Sequence, residues 1–132
     1  MSEARSARLA PGQGSVAVVG ASEKEGRYSR KAMELLREKS YEVIPIRPGG
    51  GLVLGTKAYD KLSQGPSRPH TVTMYVGAAH SMEYLEELLA LRPARVIFNP
   101  GAESDDLEAA LTEAGIACVR ACTLVLLRTG QF

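Results

Sequence analysis

The segment Ser15-Val16-Ala17-Val18-Val19, closed by Gly20, constrains this chain more than any other stretch. A nearly unbroken apolar run of five suits a strand covered on both faces, as in a parallel sheet with helices above and below it. The next pattern has the other period. Beyond Gly26, the residues Ala32, Leu35, Leu36 and Lys39 fall on one helix face, with Arg30, Glu34, Arg37 and Glu38 opposite. Ser40 stands where a helix-ending glycine is usual. A strand buried twice, next to a helix with one apolar face, calls for a layered α/β arrangement.

The alternation continues along the chain. Residues 41–46 read as a second strand, closed by Pro45 and Pro48, because proline cannot donate inside a central ladder. Gly49, Gly50 and Gly51 make a turn, residues 52–54 a very short strand or extended link, and residues 58–62 at most one or two helical turns. After a loop over residues 63–69, residues 70–76 form a third strand. Met82, Leu85, Leu88 and Leu89 mark a helix that Pro93 ends, and residues 94–98 a fourth strand. Ser104 or Asp105 caps a helix carrying Leu107, Ala110, Leu111 and Ala114, which Gly115 closes before a fifth strand at residues 116–119. The tail over residues 123–128 fits a final helical turn or a strand. The expectation is an α/β fold: a Rossmann-like three-layer sandwich around a five-stranded parallel sheet in the order 3-2-1-4-5. Residues 1–13 read as a flexible lead-in and residues 14–132 as a single domain.

Composition narrows the function classes. Sixteen Lys and Arg stand against fifteen Asp and Glu among 132 residues, for a net charge of +1, with 45% hydrophobic and 23% charged residues. That balance excludes a disordered charged tail and a histone-like nucleic-acid wrapper. No apolar run approaches the roughly 18 residues of a membrane span, and the opening MSEARSARLAPGQG lacks the apolar core of a secretory signal. Cys118 and Cys122 are too few for a disulfide framework or a four-ligand zinc site, so no metal is expected. The chain reads as reduced and cytoplasmic. Its charge is uneven: residues 1–66 hold eleven Lys and Arg against seven Asp and Glu, whereas residues 67–132 hold five against eight.

An open parallel sheet binds ligands beyond the C-terminal ends of its strands, where the strand order reverses. The loops expected there carry Gly20-Ala21-Ser22, Arg47-Pro48-Gly49, Val76-Gly77-Ala78, Asn99-Pro100-Gly101 and Cys122. Gly20 lets a backbone approach an anion, Ser22 can donate to a phosphate, and Lys24, Arg27 and Arg30 come next. The full G-x-G-x-x-G fingerprint is absent, since positions 20, 22 and 25 are Gly, Ser and Glu. NAD enzymes end strand two on a carboxylate; this chain has Arg47 there, which favours a ribose phosphate, as in NADP or coenzyme A. Glu103, Asp105 and Asp106 neutralise the helix after Asn99 and make it the poorer phosphate binder. No oriented base–nucleophile pair occurs, so no catalytic residue is expected. Cys118 reads as core packing. Cys122 reads as packing, or as a thiol facing the crevice that can exchange disulfides, with Arg120 near enough in sequence to favour its thiolate.

Together these residues resemble a known family. The pattern from Val16 to Ser22, with Lys24, Gly26 and Arg27, then Val43 to Ile46 with Pro48, then Leu54-Gly55 and Ala58-Tyr59, is similar to the small stand-alone CoA-binding proteins. Their domain is similar to the N-terminal domain of the succinyl-CoA synthetase alpha subunit. The stretches 70–75, 96–103 and 121–125 resemble one bacterial subgroup of that family. The resemblance implies that Gly20, Ala21 and Ser22 cradle a pyrophosphate, helped by Lys24, Arg27 and Tyr28. It implies that the turn from Pro45 through Arg47 to Pro48 borders the adenosine, and that Asn99, Pro100, Gly101 and Cys122 line the pantetheine side. Relatives commonly have Asn where this chain has Arg47, and Trp-Gln where it has Phe98-Asn99. The function implied by the resemblance is non-catalytic binding of coenzyme A or an acyl-CoA, without nucleic acid or membrane. Two alternatives stay open: an NADP-binding accessory domain or enzyme subunit, and a redox or regulatory module whose apolar tail joins subunits or a protein partner.

Overall fold

All five apolar runs pair as one parallel sheet in the computed structural model of the chain, which describes residues 8–132. The strands are β1 (Ser15–Val19), β2 (Glu42–Ile46), β5 (Thr71–Met74), β6 (Arg95–Phe98) and β7 (Ala117–Arg120). Two further short strands, β3 (Gly51–Val53) and β4 (Thr56–Ala58), make a separate antiparallel hairpin. The helices are α1 (Tyr28–Glu38), α2 (Ala78–Ser81), α3 (Leu85–Leu91), α4 (Asp105–Glu113) and α5 (Thr123–Arg128). Among the described residues none is long and apolar enough to cross a membrane.

The three-layer α/β class is as expected; the strand order is not. The sheet runs β2-β1-β5-β6-β7. In terms of the five apolar runs this is 2-1-3-4-5 and not 3-2-1-4-5. The free side of β2 is already taken. Tyr59, just beyond the hairpin, bridges Ile46 in parallel, donating its N–H to the Pro45 carbonyl (2.9 Å) and accepting the Arg47 N–H (2.9 Å). The third run therefore pairs with the other side of β1, Val16 opposite Thr71 and Val19 opposite Met74. Pro45 also lies within β2, opposite Val18, and does not terminate it. Its missing N–H falls on the outer edge of the sheet, where the central ladder loses nothing.

Alternate residues of β1 feed two cores. Ala17 and Val19 face a layer with Val72, Met74, Leu88, Phe98, Leu107 and Leu111, which belong to the sheet, α3 and α4. Val16 and Val18 face a layer with Met33, Leu36, Val53, Ile97 and Leu127, from α1, the hairpin, the sheet and α5. The chain leaves β1 in one direction and β5 in the other, so right-handed crossovers place α1 on one face and α3 and α4 on the opposite one.

Two local expectations change, and one left open is settled. Residues 58–62 are the end of β4 followed by a single 3-10 turn at Leu62–Gln64, not a helix. The hairpin turns at Leu54 and Gly55, both at positive φ (51° and 76°), the turn that suits two-residue connections. The tail is helical, and Leu124 and Leu127 pack inward, which leaves Val125 as its exposed large apolar side chain. Leu9, within the stretch read as lead-in, is buried: its N–H meets the Phe132 carbonyl at 3.1 Å, and its carbonyl accepts the Tyr41 hydroxyl at 2.7 Å. Residues 1–7 lie outside the described residues. Ser40 does take the place of a glycine, at φ 68°, with Ser40 N–H to Arg37 O (2.9 Å) and Tyr41 N–H to Leu36 O (2.9 Å) closing α1.

Candidate functional site

The order 2-1-3-4-5 moves the reversal point to the gap between β1 and β5, so the loops after those two strands bound the crevice. Gly20 sits at φ 89°, and a β-carbon there would come within 3.1 Å of the Tyr75 carbonyl carbon and of the Val76 side chain. Any larger residue would be strained at this φ and would press on both neighbours. The Gly20 and Ala21 N–H groups both donate to the Ile46 carbonyl, at 3.0 and 3.1 Å. Their amides are committed to β2, and what the pair brings to the crevice is shape rather than donors for an anion. The donors begin later. Ser22 Oγ accepts the Lys24 N–H at 3.1 Å, which turns the loop and leaves the hydroxyl proton free of that bond.

Helix α1 then starts at Tyr28 with no side-chain cap and no acidic residue in its first turn. An eleven-residue helix with an open N-terminus carries partial positive charge there and presents unpaired N–H groups. Helix α4 is the contrast. Ser104 caps it by accepting the Leu107 N–H (3.2 Å), and Asp105, Asp106 and Glu108 fill its first turn. The electrostatics favour an anion at α1.

Two concavities meet across this region. One, of about 410 Å³, is lined by Gly20, Ser22, Gly26, Arg27, Tyr28, Ser29, Tyr75, Pro100, Gly101 and Ala102. The second, of about 220 Å³, is lined by Tyr28, Tyr75, Asn99, Pro100, Cys122 and Leu124. They share Tyr28, Tyr75 and Pro100, so the two adjoin and together make up the cleft. Tyr28 stands over it, 66% exposed, with Lys31 Nζ 5.3 Å from its ring. A larger hollow of about 550 Å³ lies around Leu9, Lys39, Tyr41 and Phe132, near the start of β2. It is remote from the strand ends at which such sheets bind ligands.

Beneath the cleft is a closed polar network. Asn99 is 2% exposed; its Nδ2 donates to Thr73 Oγ1 (2.7 Å) and to the Met74 carbonyl (2.9 Å), and its Oδ1 accepts the Thr123 N–H (2.8 Å). Thr73 and Thr123 share a further hydrogen bond at 2.7 Å. Both Asn99 protons are used, so its amide fastens β5 to β6 and to α5 instead of reaching for a ligand. Burial pushes the Tyr75 phenol up to about 12, against the Thr123 and Thr73 hydroxyls that favour its ionised form. It remains a neutral wall at physiological pH.

Of the residues expected at the site, Gly20, Ser22, Arg27, Tyr28, Asn99, Pro100, Gly101 and Cys122 line the cleft. Ala21 and Pro45 are buried in the β1–β2 ladder, so Pro45 offers no surface to a ligand. Pro48 is exposed at the turn after β2. Lys24 is exposed near the cleft loop but is not part of its lining. Arg47 is held by its own turn, Nε on the Gly50 carbonyl (2.7 Å) and Nη2 on the Leu52 carbonyl (3.0 Å). Arg120 does not serve Cys122: it pairs with Asp105 and Glu108 of α4, both at 2.6 Å. Cys118 and Cys122 are both free thiols, and burial pushes Cys118 up to about 11, as suits a packing residue. Ser29, Tyr75, Ala102 and Leu124 also line the cleft and were not legible in the sequence. Tyr75 ends the strand whose position depended on the sheet order, and Leu124 belongs to the tail whose helical state was open. Among the described residues, no group of three His, Cys, Asp or Glu side chains gathers to hold a metal ion.

Comparison with known proteins places these features. Residues 14–128 match the family described as the CoA binding domain. A solved structure of an uncharacterized protein is 36% identical, covering 90% of this chain and 98% of its own, with a TM-score of 0.78. A Thermus thermophilus protein is 30% identical, covering 89% and 90%, with a TM-score of 0.81. A dinucleotide-forming acetyl-coenzyme A synthetase from Candidatus Korarchaeum cryptofilum, in complex with phosphate and ADP, shares the fold. It is 19% identical over 79% of this chain and 25% of that one, with a TM-score of 0.67.

Proposed function

The chain belongs to the CoA binding domain family, and from that premise we propose that it binds coenzyme A or an acyl-CoA in the cleft between β1 and β5 without chemical turnover. The observation that carries this is the uncapped N-terminus of α1, free of acidic residues and opening with Ser22 and Arg27 onto the cleft. A pyrophosphate there meets N–H groups, a hydroxyl and a guanidinium, while Gly20 keeps the floor low enough for it to approach. The nucleoside end then lies toward β2, where Arg47 keeps N–H groups beyond the two held by Gly50 and Leu52 for a ribose phosphate. The pantetheine runs the other way, under Tyr28 and past Pro100 toward Cys122. A CoA ligand fits a reduced, cytoplasmic setting for two unpaired cysteines. The family gives the NADP reading no support.

Calorimetric titration with CoA, 3′-dephospho-CoA, NADP and NAD tests the assignment. CoA is expected to bind most tightly, and NAD binding more tightly than CoA would end the proposal. Arg47→Ala should weaken CoA about tenfold or more and leave dephospho-CoA nearly unchanged, as a charge-assisted contact of roughly 1.5–3 kcal/mol requires. Acyl-CoA hydrolysis or ligation that persists through repurification, and disappears in Cys122→Ser, would show a catalyst instead.

A further inference from the structure

The smaller part of the cleft has a chemistry of its own. Its six lining residues are Tyr28, Tyr75, Asn99, Pro100, Cys122 and Leu124, and none carries a formal positive charge. Two of the polar ones are engaged elsewhere. Both Asn99 donor protons go to Thr73 and Met74, and the Tyr75 hydroxyl lies against threonine hydroxyls. Arg27 lines the phosphate part of the cleft and not this one. The short helix α5 gives its first N–H, that of Thr123, to Asn99. A carboxylate entering this space would lose water and find no cation among the lining side chains to replace it. The volume, about 220 Å³, corresponds to roughly seven non-hydrogen atoms at ~30 Å³ each. Four of these are the cysteamine N–C–C–S that ends pantetheine. About three to four remain.

Resting on the CoA reading above, we propose that this pocket receives the acyl end of the ligand and selects short, uncharged acyl groups of about two to three carbons over dicarboxylic ones. The wall residues Tyr28, Pro100 and Leu124 supply apolar contact to the chain, and the bound Asn99 amide supplies none of the polarity that a second carboxylate needs. Butyryl-CoA and succinyl-CoA separate these effects, because both acyl groups contain four carbons and only one ends in a charge.

The test is calorimetry with CoA, acetyl-CoA, propionyl-CoA, butyryl-CoA and succinyl-CoA, and with adenosine 3′,5′-bisphosphate as a ligand lacking pantetheine. Affinity is expected to rise about fourfold from acetyl to propionyl, the value of a buried CH₂, and to gain nothing further at butyryl. Succinyl-CoA should bind at least tenfold more weakly than butyryl-CoA. Cys122→Lys should reverse that order and leave the bisphosphate unchanged. Equal binding of all five CoA species would place the acyl end in solvent and overturn this inference while the CoA assignment stands. A Cys122→Lys effect on the bisphosphate as large as that on CoA would put adenine in the pocket and overturn it too. If no CoA species binds at all, the functional reading fails, and this inference falls with it.

Discussion

Asn99 is the residue through which fold and cleft depend on each other, and its replacement by alanine gives a quantitative test. The side chain makes three hydrogen bonds of 2.7–2.9 Å from a position 2% exposed. Each such bond contributes about 1–1.5 kcal/mol net, and a buried group deprived of its partner loses at least as much. Asn99→Ala should therefore destabilise the protein by about 3–4 kcal/mol, a large share of the roughly 5–15 kcal/mol typical of a domain. With a urea slope near 2 kcal/mol/M, the unfolding midpoint should fall by about 1.5–2 M. Asn99→Asp sharpens the test. The carboxylate can still accept the Thr123 N–H, but its other oxygen then faces the Met74 carbonyl with no proton between them. Its loss at pH 7 should match or exceed that of alanine and should shrink as the pH falls and the carboxyl protonates. Urea titrations of the three proteins at pH 7 and pH 5 decide the matter. A loss below about 1 kcal/mol for Asn99→Ala would show that water replaces the amide at little cost and that the network does not hold the cleft floor.

Ser40→Gly should stabilise the protein by about 0.5–1 kcal/mol, because Ser40 holds φ 68° at the end of α1 and glycine relieves that strain; thermal unfolding measures it. Gly20→Ala should cost about 2–4 kcal/mol and abolish CoA binding, since a β-carbon there has φ 89° and meets Tyr75 and Val76 at 3.1 Å. A variant that retains both stability and affinity would refute the close approach of β1 and β5 at this point. His70 is held below its ordinary range, first by burial and then by Arg95. Its unfolded state takes up the proton first, so this group withdraws stability as the pH falls through about 6.5 and leaves it constant above. His70→Gln should flatten the stability profile between pH 7 and pH 5, and an unchanged slope would assign the loss to other groups.

The periodicities carried the elements. The run from Val16 to Val19 declares a strand buried on two faces, and the spacing of Ala32, Leu35 and Leu36 declares a helix with one apolar face, because both patterns record what each residue must touch. Gly20, Ser22 and Arg27 were legible as lining one cleft for the same reason: a strand end, a hydroxyl and a cation lie within eight residues of one another. Strand order was not legible this way. Whether the third run pairs with β2 or β1 depends on whether the outer edge of β2 is free, and Tyr59, thirteen residues beyond Ile46, occupies it. That contact moves the reversal point next to Tyr75 and brings a residue with no motif into the cleft wall. Asn99 and Arg47 show the same division. Residue type and position marked both as ligand contacts, but only the packed structure shows Asn99 spent on Thr73, Met74 and Thr123, and Arg47 partly spent on Gly50 and Leu52. A sequence states which donors a chain possesses; which of them remain free for a ligand is decided by long-range hydrogen bonds that exist only once the sheet has closed.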